Sequence, residues 1–390
     1  MSPFEFFSPQ RIVFGWGKRS EIGAAAASLG RQAWVVVGSR TLERSGAVAE
    51  LRERLEASGV AAEVVATIDH EPLVADVDET IARVADRTPQ AGGFLLPIGG
   101  GSAIDLAKAV AALAPQAERA SVRDYLEGVG RGLKLVADPL PILAMPTTGG
   151  TGTEATKNAV ISSYDPPFKK SLRDARLVPR VVVVDPKLSV GVSAATTAWT
   201  GMDAITQLIE AYITRNARPL PQALCLEGLR LALPSVERAV HDGADREARE
   251  AMAQAALFSG MALANSGLGL AHGVAAALGV HCRVPHGLAC AVMLPAALAA
   301  NRNAAEAGLA RLARHALGLA EPNDSAAAQA LVDHVAGLCR RLRVPARLSD
   351  LGVMRAQLPD LVAGSHGNSL NGNPRSIDDE ELLHILENML

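Results

Sequence analysis

The 390-residue chain lacks the marks of several protein classes. Its four cysteines, Cys225, Cys282, Cys290 and Cys339, include no C-x-x-C pair. This argues against a disulfide framework and a cysteine-only zinc site, and fits a reducing compartment. Aromatics are scarce, with seven Phe, three Trp and three Tyr, so the core must be built from Ala, Val and Leu. The net charge of −3 offers no basic footprint for nucleic acid. The longest apolar run, residues 288–300, is expected to be interrupted by Pro295 and falls short of the roughly 20 residues that span a bilayer. The opening MSPFEFFSPQR has neither the basic start nor the apolar run of a signal peptide. A cytoplasmic protein without membrane or nucleic-acid partners is expected.

What is present is 49% hydrophobic residues, 20% charged residues and 35 glycines, several of them clustered. The length allows two or three domains. Through residue 184, short β-branched runs alternate with helical segments. Strands are expected at Ala33–Val37, Val60–Thr67, Gly93–Ile98, Leu140–Met145 and Arg180–Val184, and helices at Glu43–Ser58, Asp76–Asp86 and Ser102–Leu113. Continuous apolar strands alternating with helices indicate a parallel sheet covered on both faces. Beyond Asp185-Pro186 the pattern turns to Ala- and Leu-rich helical stretches, including 201–214, 221–240, 246–264 and 304–317. We therefore expect an α/β domain over 1–188 and an all-α domain over 189–390, with the site in the cleft between them.

Two glycine-rich loops each follow an expected strand. In the first, Gly99-Gly100-Gly101-Ser102 leads into a helix containing Asp105. Glycines let the backbone approach a ligand closely, and the helix start offers free N–H groups and a positive dipole end to phosphate. Ser102 is a candidate N-cap or phosphate donor. The spacing is not G-x-G-x-x-G, so the usual Rossmann fingerprint is absent. The second loop, Pro146-Thr147-Thr148-Gly149-Gly150-Thr151, offers hydroxyls suited to ribose and pyrophosphate. Two such loops after neighbouring strands favour a dinucleotide. The first strand ends in Gly38-Ser39-Arg40, without the carboxylate that would hold a ribose 2′-OH and repel a 2′-phosphate. NADP is therefore tolerated beside NAD, and Arg40 either pairs with the extra phosphate or lies exposed.

In the second half, Asp203, Gln207 and Glu210 fall at i, i+4 and i+7 on one helix face. Three of the nine histidines, His272, His281 and His286, lie within fifteen residues of each other. Carboxylate and imidazole together make a plausible divalent-metal set.

These motifs resemble the iron-containing (group III) alcohol dehydrogenase family over nearly the whole chain. The carriers are RIVFGWG at 11–17, GGGSAIDLAK at 99–108, PTTGGTGTEAT at 146–156, Lys169 in KKSLR, GMDAITQLIE at 201–210, HGVAAALGVHCRVPHG at 272–287 and Asn373-Pro374-Arg375. The resemblance implies a dinucleotide-binding α/β domain over 1–188 and a metal- and substrate-binding α-helical domain over 189–390, and a nicotinamide-dependent interconversion of a small alcohol with its aldehyde or ketone, assisted by a divalent metal such as Fe²⁺ or Zn²⁺. Lys169 matches a cofactor-contacting lysine, and Asp203, His272 and His286 match three metal ligands. Three positions depart from the pattern. Gln207 stands where the fourth ligand is usually histidine, Ala276 where many members carry a proton-relay histidine, and Ser39 where aspartate is common. Gln207 is still expected to ligate the metal through its amide oxygen, a harder and weaker ligand than imidazole that lowers affinity and shifts preference towards oxygen-loving ions. His281 is a candidate substitute relay, or a satisfied helix-end histidine. A homodimer is expected from the prevalence of twofold assemblies. The alternatives are a metal-independent reductase of the maleylacetate reductase type and, less favoured, a sugar-phosphate lyase or cyclase of the dehydroquinate synthase type. The last would need a phosphate-binding cluster that Arg215, Arg218 and Arg283 supply only thinly.

Overall fold

The computed structural model describes residues 3–87 and 93–390. Its β-branched runs pair into a six-stranded parallel sheet in the order β1-β8-β5-β4-β2-β3. The strands are β1 (Arg11–Phe14), β2 (Gln32–Val37), β3 (Ala61–Thr67), β4 (Gly93–Gly99), β5 (Leu143–Pro146) and β8 (Val181–Val184). Every residue of β4 and β8 is buried, as continuous apolar strands require. Helices α1 (Ile22–Ala27), α2 (Arg40–Arg44), α3 (Ala47–Glu56), α4 (Val74–Val84) and α5 (Gly101–Leu113) accompany the sheet. Two separate apolar clusters fill its faces, one centred on Trp34, Leu95 and Leu106, the other on Val35, Phe94 and Leu96.

Three local expectations are corrected. The single helix expected over 43–58 is two, because Gly46 adopts a left-handed φ of 80° and starts α3. Ser102 is not an N-cap. Gly100 holds that position, and Ser102 lies inside the first turn of α5. Pro295 does not interrupt the apolar run, which lies within helix α10 (His286–Asn301). There, burial of residues such as Leu294, Ala297 and Leu298 offsets the lost backbone hydrogen bond. The sequence pattern also gave no sign of β1 or of an antiparallel hairpin, β6 (Asn158–Tyr164) with β7 (Pro167–Arg173). Strand β7 is PFKKSLR, with only Phe168 and Leu172 buried.

All strands among the described residues precede residue 185, and all longer helices of the second half follow residue 193. These are α6 (Ala194–Ile213), α7 (Pro219–His241), α8 (Arg246–Asn265), α9 (Leu270–Cys282), α10, α11 (Glu306–Leu317), α12 (Asp324–Arg341), α13 (Leu358–Ser365), the short α14 (Asn368–Asn371) and α15 (Asp379–Glu387). The Ser193 hydroxyl caps α6 by accepting from the Thr196 N–H, and Asp245 caps α8 from Ala248 in the same way. Among the described residues no single helix is long and apolar enough to cross a membrane. Helices α8 and α9 reach the required length together, but they meet at 99°.

Candidate active site

The sheet reverses its winding between β2 and β4: the chain steps outward from β2 to β3, then returns to β4 and continues through β5 on the other side. Ligands in such sheets bind outside the carboxyl ends of the strands at this point. Gly38 and Gly99 end the two strands here, so close that a Cβ on either would lie 2.6 Å from the other's Cα. The following Gly100 and Gly101 open α5, whose N-cap is filled by no side chain. Its first N–H groups are therefore left free of a side-chain cap, as an anion at a helix start would require.

The Thr147–Thr151 loop lies alongside. The Thr147 N–H donates to the Gly99 carbonyl (3.0 Å). Thr148 packs beside Gly100, and the Thr151 hydroxyl packs beside Gly101. Arg40, the first residue of α2, is exposed, next to a half-buried Ser39 in extended backbone. Asp105 is buried, and burial, opposed by Lys108 and a hydrogen bond from the Val160 backbone, pushes its carboxyl up to about 7.

Lys108 was quoted in the motif but given no role by sequence. Its side chain is fully buried, and its ammonium donates to the carbonyls of Thr153 (2.6 Å), Thr156 (2.7 Å) and Asn158 (3.1 Å) and to the Thr156 hydroxyl (2.8 Å). It ties the second loop and the start of β6 to α5. The loop also reaches across to the helical half. Gly152, at φ 60°, packs against Gly260 of α8 so tightly that a Cβ on Gly260 would lie 1.9 Å from the Gly152 carbonyl. The Thr151 carbonyl accepts from Gln207 Nε2 at 2.9 Å.

Helices α6, α9 and α10 converge beside that loop. Asp203, His272, His286 and Cys290 bring one ligand atom each within 4.8 Å of one another. His272 sits between two carboxylates. Its Nδ1 lies 2.7 Å from Glu210 Oε2 and its Nε2 lies 3.1 Å from Asp203 Oδ1. Glu210 Oε1 also accepts from the Ala271 N–H at 2.7 Å. A carboxylate that holds one ring nitrogen fixes the tautomer and leaves the other nitrogen to a metal. Burial alone would lower the His272 pKa, but Cys290, Asp203 and Glu210 override it and hold it well above its ordinary value. His286 goes the other way, pushed down to about 4 by burial and by the charge of Lys169. The two ring centroids are 5.6 Å apart, edge to face. Asp203 Oδ2, Gln207 Oε1 and His286 Nδ1 are buried without a hydrogen-bond partner. Buried polar atoms are normally satisfied, so these three mark a place built for something more. The residues present fit a divalent cation.

The supports of this cluster explain motifs that sequence could only quote. Asn373, fully buried, accepts from the Leu270 N–H at the start of α9 and exchanges two hydrogen bonds of 2.8 Å with Asn301. Arg375 fastens the same segment to the Ala300 carbonyl and Glu381. The NPR segment thus anchors the helix that carries His272. Lys169, on β7, pairs with Glu71 at 2.7 Å. It also lines a cleft of about 390 Å³ with Phe168, Ala276, Ala277 and His281. Ala276 lies one turn along α9 from His272. His281 is on the cleft wall and not among the clustered ligands.

The family models for iron-containing alcohol dehydrogenases match 9–186 and, for the C-terminal part, 197–390. The chain belongs to the iron-containing alcohol dehydrogenase family. It is 30% identical to a Bacillus methanolicus NAD-dependent methanol dehydrogenase over 391 residues, covering 99% of each chain. It is 32% identical to the Escherichia coli (strain K12) lactaldehyde reductase over 376 residues, covering 95% of this chain and 96% of the relative. A crystal structure of a 1,3-propanediol oxidoreductase superposes with a TM-score of 0.92 at 30% identity, with both chains fully covered.

Membership makes the protein an oxidoreductase of the alcohol dehydrogenase and aldehyde reductase class. The family implies a nicotinamide cofactor and a divalent metal. The parallel-sheet half followed by a helical half is the family architecture. It also disfavours the lyase or cyclase alternative, as do the three arginines that reading needed. Arg215 is committed to the Asn373 carbonyl, Arg283 stacks over the Tyr164 ring, and Arg218 donates to the Ala217 carbonyl, so they form no common phosphate site. Glu210 and Cys290 are the site residues that sequence reasoning left unassigned. Glu210 was legible on the Asp203 helix face. Cys290 is one turn after His286, a spacing that signals a shared face.

Proposed function

We propose that the chain transfers a hydride between a small alcohol or aldehyde and NAD or NADP in the space between the two glycine-rich loops and the Asp203–His272–His286 cluster. The observation that carries this is the fixing of His272 by Glu210 with the opposite ring nitrogen directed at Asp203, next to a loop shaped for a dinucleotide. When bound, a divalent cation polarises the substrate oxygen as a Lewis acid and a nicotinamide accepts or donates the hydride.

The chain's own part is binding and orientation. Gly99, Gly100, Gly101 and Ser102 take the diphosphate at the start of α5, and Thr147, Thr148 and Thr151 take the adjoining sugar and phosphate oxygens. Lys169 stands where the cofactor meets the cleft, with its charge balanced by Glu71. Asp105 supports the loop from below. Ser39 and Arg40 border the adenosine ribose, and the lack of a carboxylate there suits NADP as well as NAD. Asp203, His272 and His286 hold the cation, with the free amide oxygen of Gln207 beside them. Ala276 leaves the cleft without an imidazole at that turn, so His281, on the same wall, takes the alcohol proton. The wall of small side chains suits short aliphatic substrates. The domains divide near residue 188. A homodimer in the cytoplasm completes the reading, on the prevalence of twofold assemblies and on four cysteines that are all free.

Asp203→Ala and His272→Ala should each abolish NAD(P)-linked turnover of short alcohols, diols and aldehydes. Metal returned to chelated wild-type enzyme should restore its activity. Unchanged rates in both variants, or full activity of exhaustively chelated enzyme, would establish the metal-independent alternative instead.

A further inference from the structure

We infer that the Cys290 thiolate, with Asp203, His272 and His286, makes a mixed carboxylate, imidazole and thiolate metal site that selects zinc or another thiophilic divalent ion. The inference rests on the metal-dependent reading above and specifies its chemistry.

The four donors come from three helices; Asp203, His272 and Cys290 are buried, and His286 is half-buried at the start of α10. Cys290 has no exposed surface. It follows His286 by one turn of α10, and its sulfur lies 3.7 Å from His286 Nε2. The second observation is independent of the cysteine. Asp203 Oδ2 and His286 Nδ1 are both buried atoms of the same cluster and have no hydrogen-bond partner. A hydrogen-bonded structural cluster would have used those atoms.

Gln207 is a poorer fourth donor on two counts. Its amide nitrogen is held by the Thr151 carbonyl at 2.9 Å, and the oxygen that remains is neutral and hard. Two imidazoles, one carboxylate and one thiolate match the preferences of zinc, whereas magnesium and manganese favour oxygen donors. Charge points the same way. Asp203 and a Cys290 thiolate together neutralise a divalent ion among side chains that are mostly buried, where an unbalanced charge is expensive. On binding, the Cys290 S–H bond is broken, the proton leaves to solvent and the sulfur lone pair forms the new bond. No oxidant or reductant takes part. The other three cysteines do not share the cluster. Cys225 and Cys339 lie in the helical core and Cys282 borders another apolar cluster.

Full-length protein should be stripped, reloaded with zinc or cobalt, and its metal counted. About one ion per chain is expected, with one sulfur scatterer at about 2.3 Å in zinc X-ray absorption. The cobalt form should show a near-ultraviolet thiolate charge-transfer band that Cys290→Ser removes and Cys282→Ser keeps. Cys290→Ser should also weaken metal binding by more than about 100-fold, beyond the usual effect of losing an outer partner. The wild-type absorption spectrum needs no variant, so misfolding of Cys290→Ser does not blur the outcome. One bound ion with only nitrogen and oxygen neighbours overturns the cysteine assignment alone. A protein that takes up neither metal overturns this assignment together with the metal-dependent reading beneath it.

Discussion

Replacing Glu210 by Gln changes one oxygen to nitrogen and leaves the side-chain volume almost untouched. The wild-type carboxylate accepts twice, from His272 Nδ1 at 2.7 Å and from the Ala271 N–H at 2.7 Å. A glutamine has one accepting oxygen. If that oxygen keeps Ala271, its NH₂ group confronts the His272 N–H. The ring must then move its proton to Nε2, the nitrogen that faces Asp203. If the oxygen keeps His272, the Ala271 N–H at the start of α9 is orphaned. Either way one buried donor loses its acceptor, at about 1–3 kcal/mol. Outer-sphere losses of this kind weaken metal binding about 10- to 100-fold, equivalent to roughly 1.4–2.7 kcal/mol. Competition with a chromophoric chelator measures the affinity, and circular dichroism checks the fold. Activity at saturating metal should recover substantially, because the defect is in holding the ion. A variant with wild-type folding and a metal affinity within about twofold of wild type would refute the role assigned to Glu210.

Lys108→Met should lower stability by about 3–5 kcal/mol, since it strands several buried carbonyls, and should raise the KM for the cofactor by loosening the Thr147–Thr151 loop. Denaturant unfolding and steady-state kinetics check both effects. Ser39→Asp should raise the KM for NADP by at least about tenfold, near 1.4 kcal/mol, with little change for NAD. Parallel titrations of the two cofactors decide it. Glu154 is buried, and burial pushes its carboxyl from 4.5 up to about 7. A carboxyl raised on folding destabilises the protein increasingly as pH climbs through the interval between those values. Glu154→Gln should therefore gain stability relative to wild type between pH 5 and pH 8, by about 1–3 kcal/mol. Thermal unfolding of both proteins at the two pH values tests this, and a constant difference would contradict it.

Much of this protein can be read from local sequence. Apolar strands such as GFLLPIG need burial on both faces wherever they occur, so the parallel sheet follows from composition over a few residues. Gly99 to Gly101 announce a close backbone approach because only glycine tolerates it. Asp203, Gln207 and Glu210 share a face because helical spacing leaves them no alternative. The hairpin strand carrying Lys169 was illegible, since PFKKSLR buries only two residues and is ordered by its partner across the turn and by α9.

Tertiary structure decided which of the aligned side chains meet. Glu210 and Gln207 present equally good helical spacing, yet one fixes His272 and the other holds the Thr151 carbonyl, because the tertiary fold brings the start of α9 to one and the second glycine-rich loop to the other. Lys108 became a staple because the loop folded back over α5. Cys290 stands 87 residues after Asp203 in the chain, and neither residue determines the other's place. Sequence set the chemistry each segment could offer, through steric and hydrogen-bonding rules that act over a few residues. The packing of three helices, which depends on apolar contacts far apart in the chain, determined that a carboxylate, two imidazoles and a thiol share one buried site.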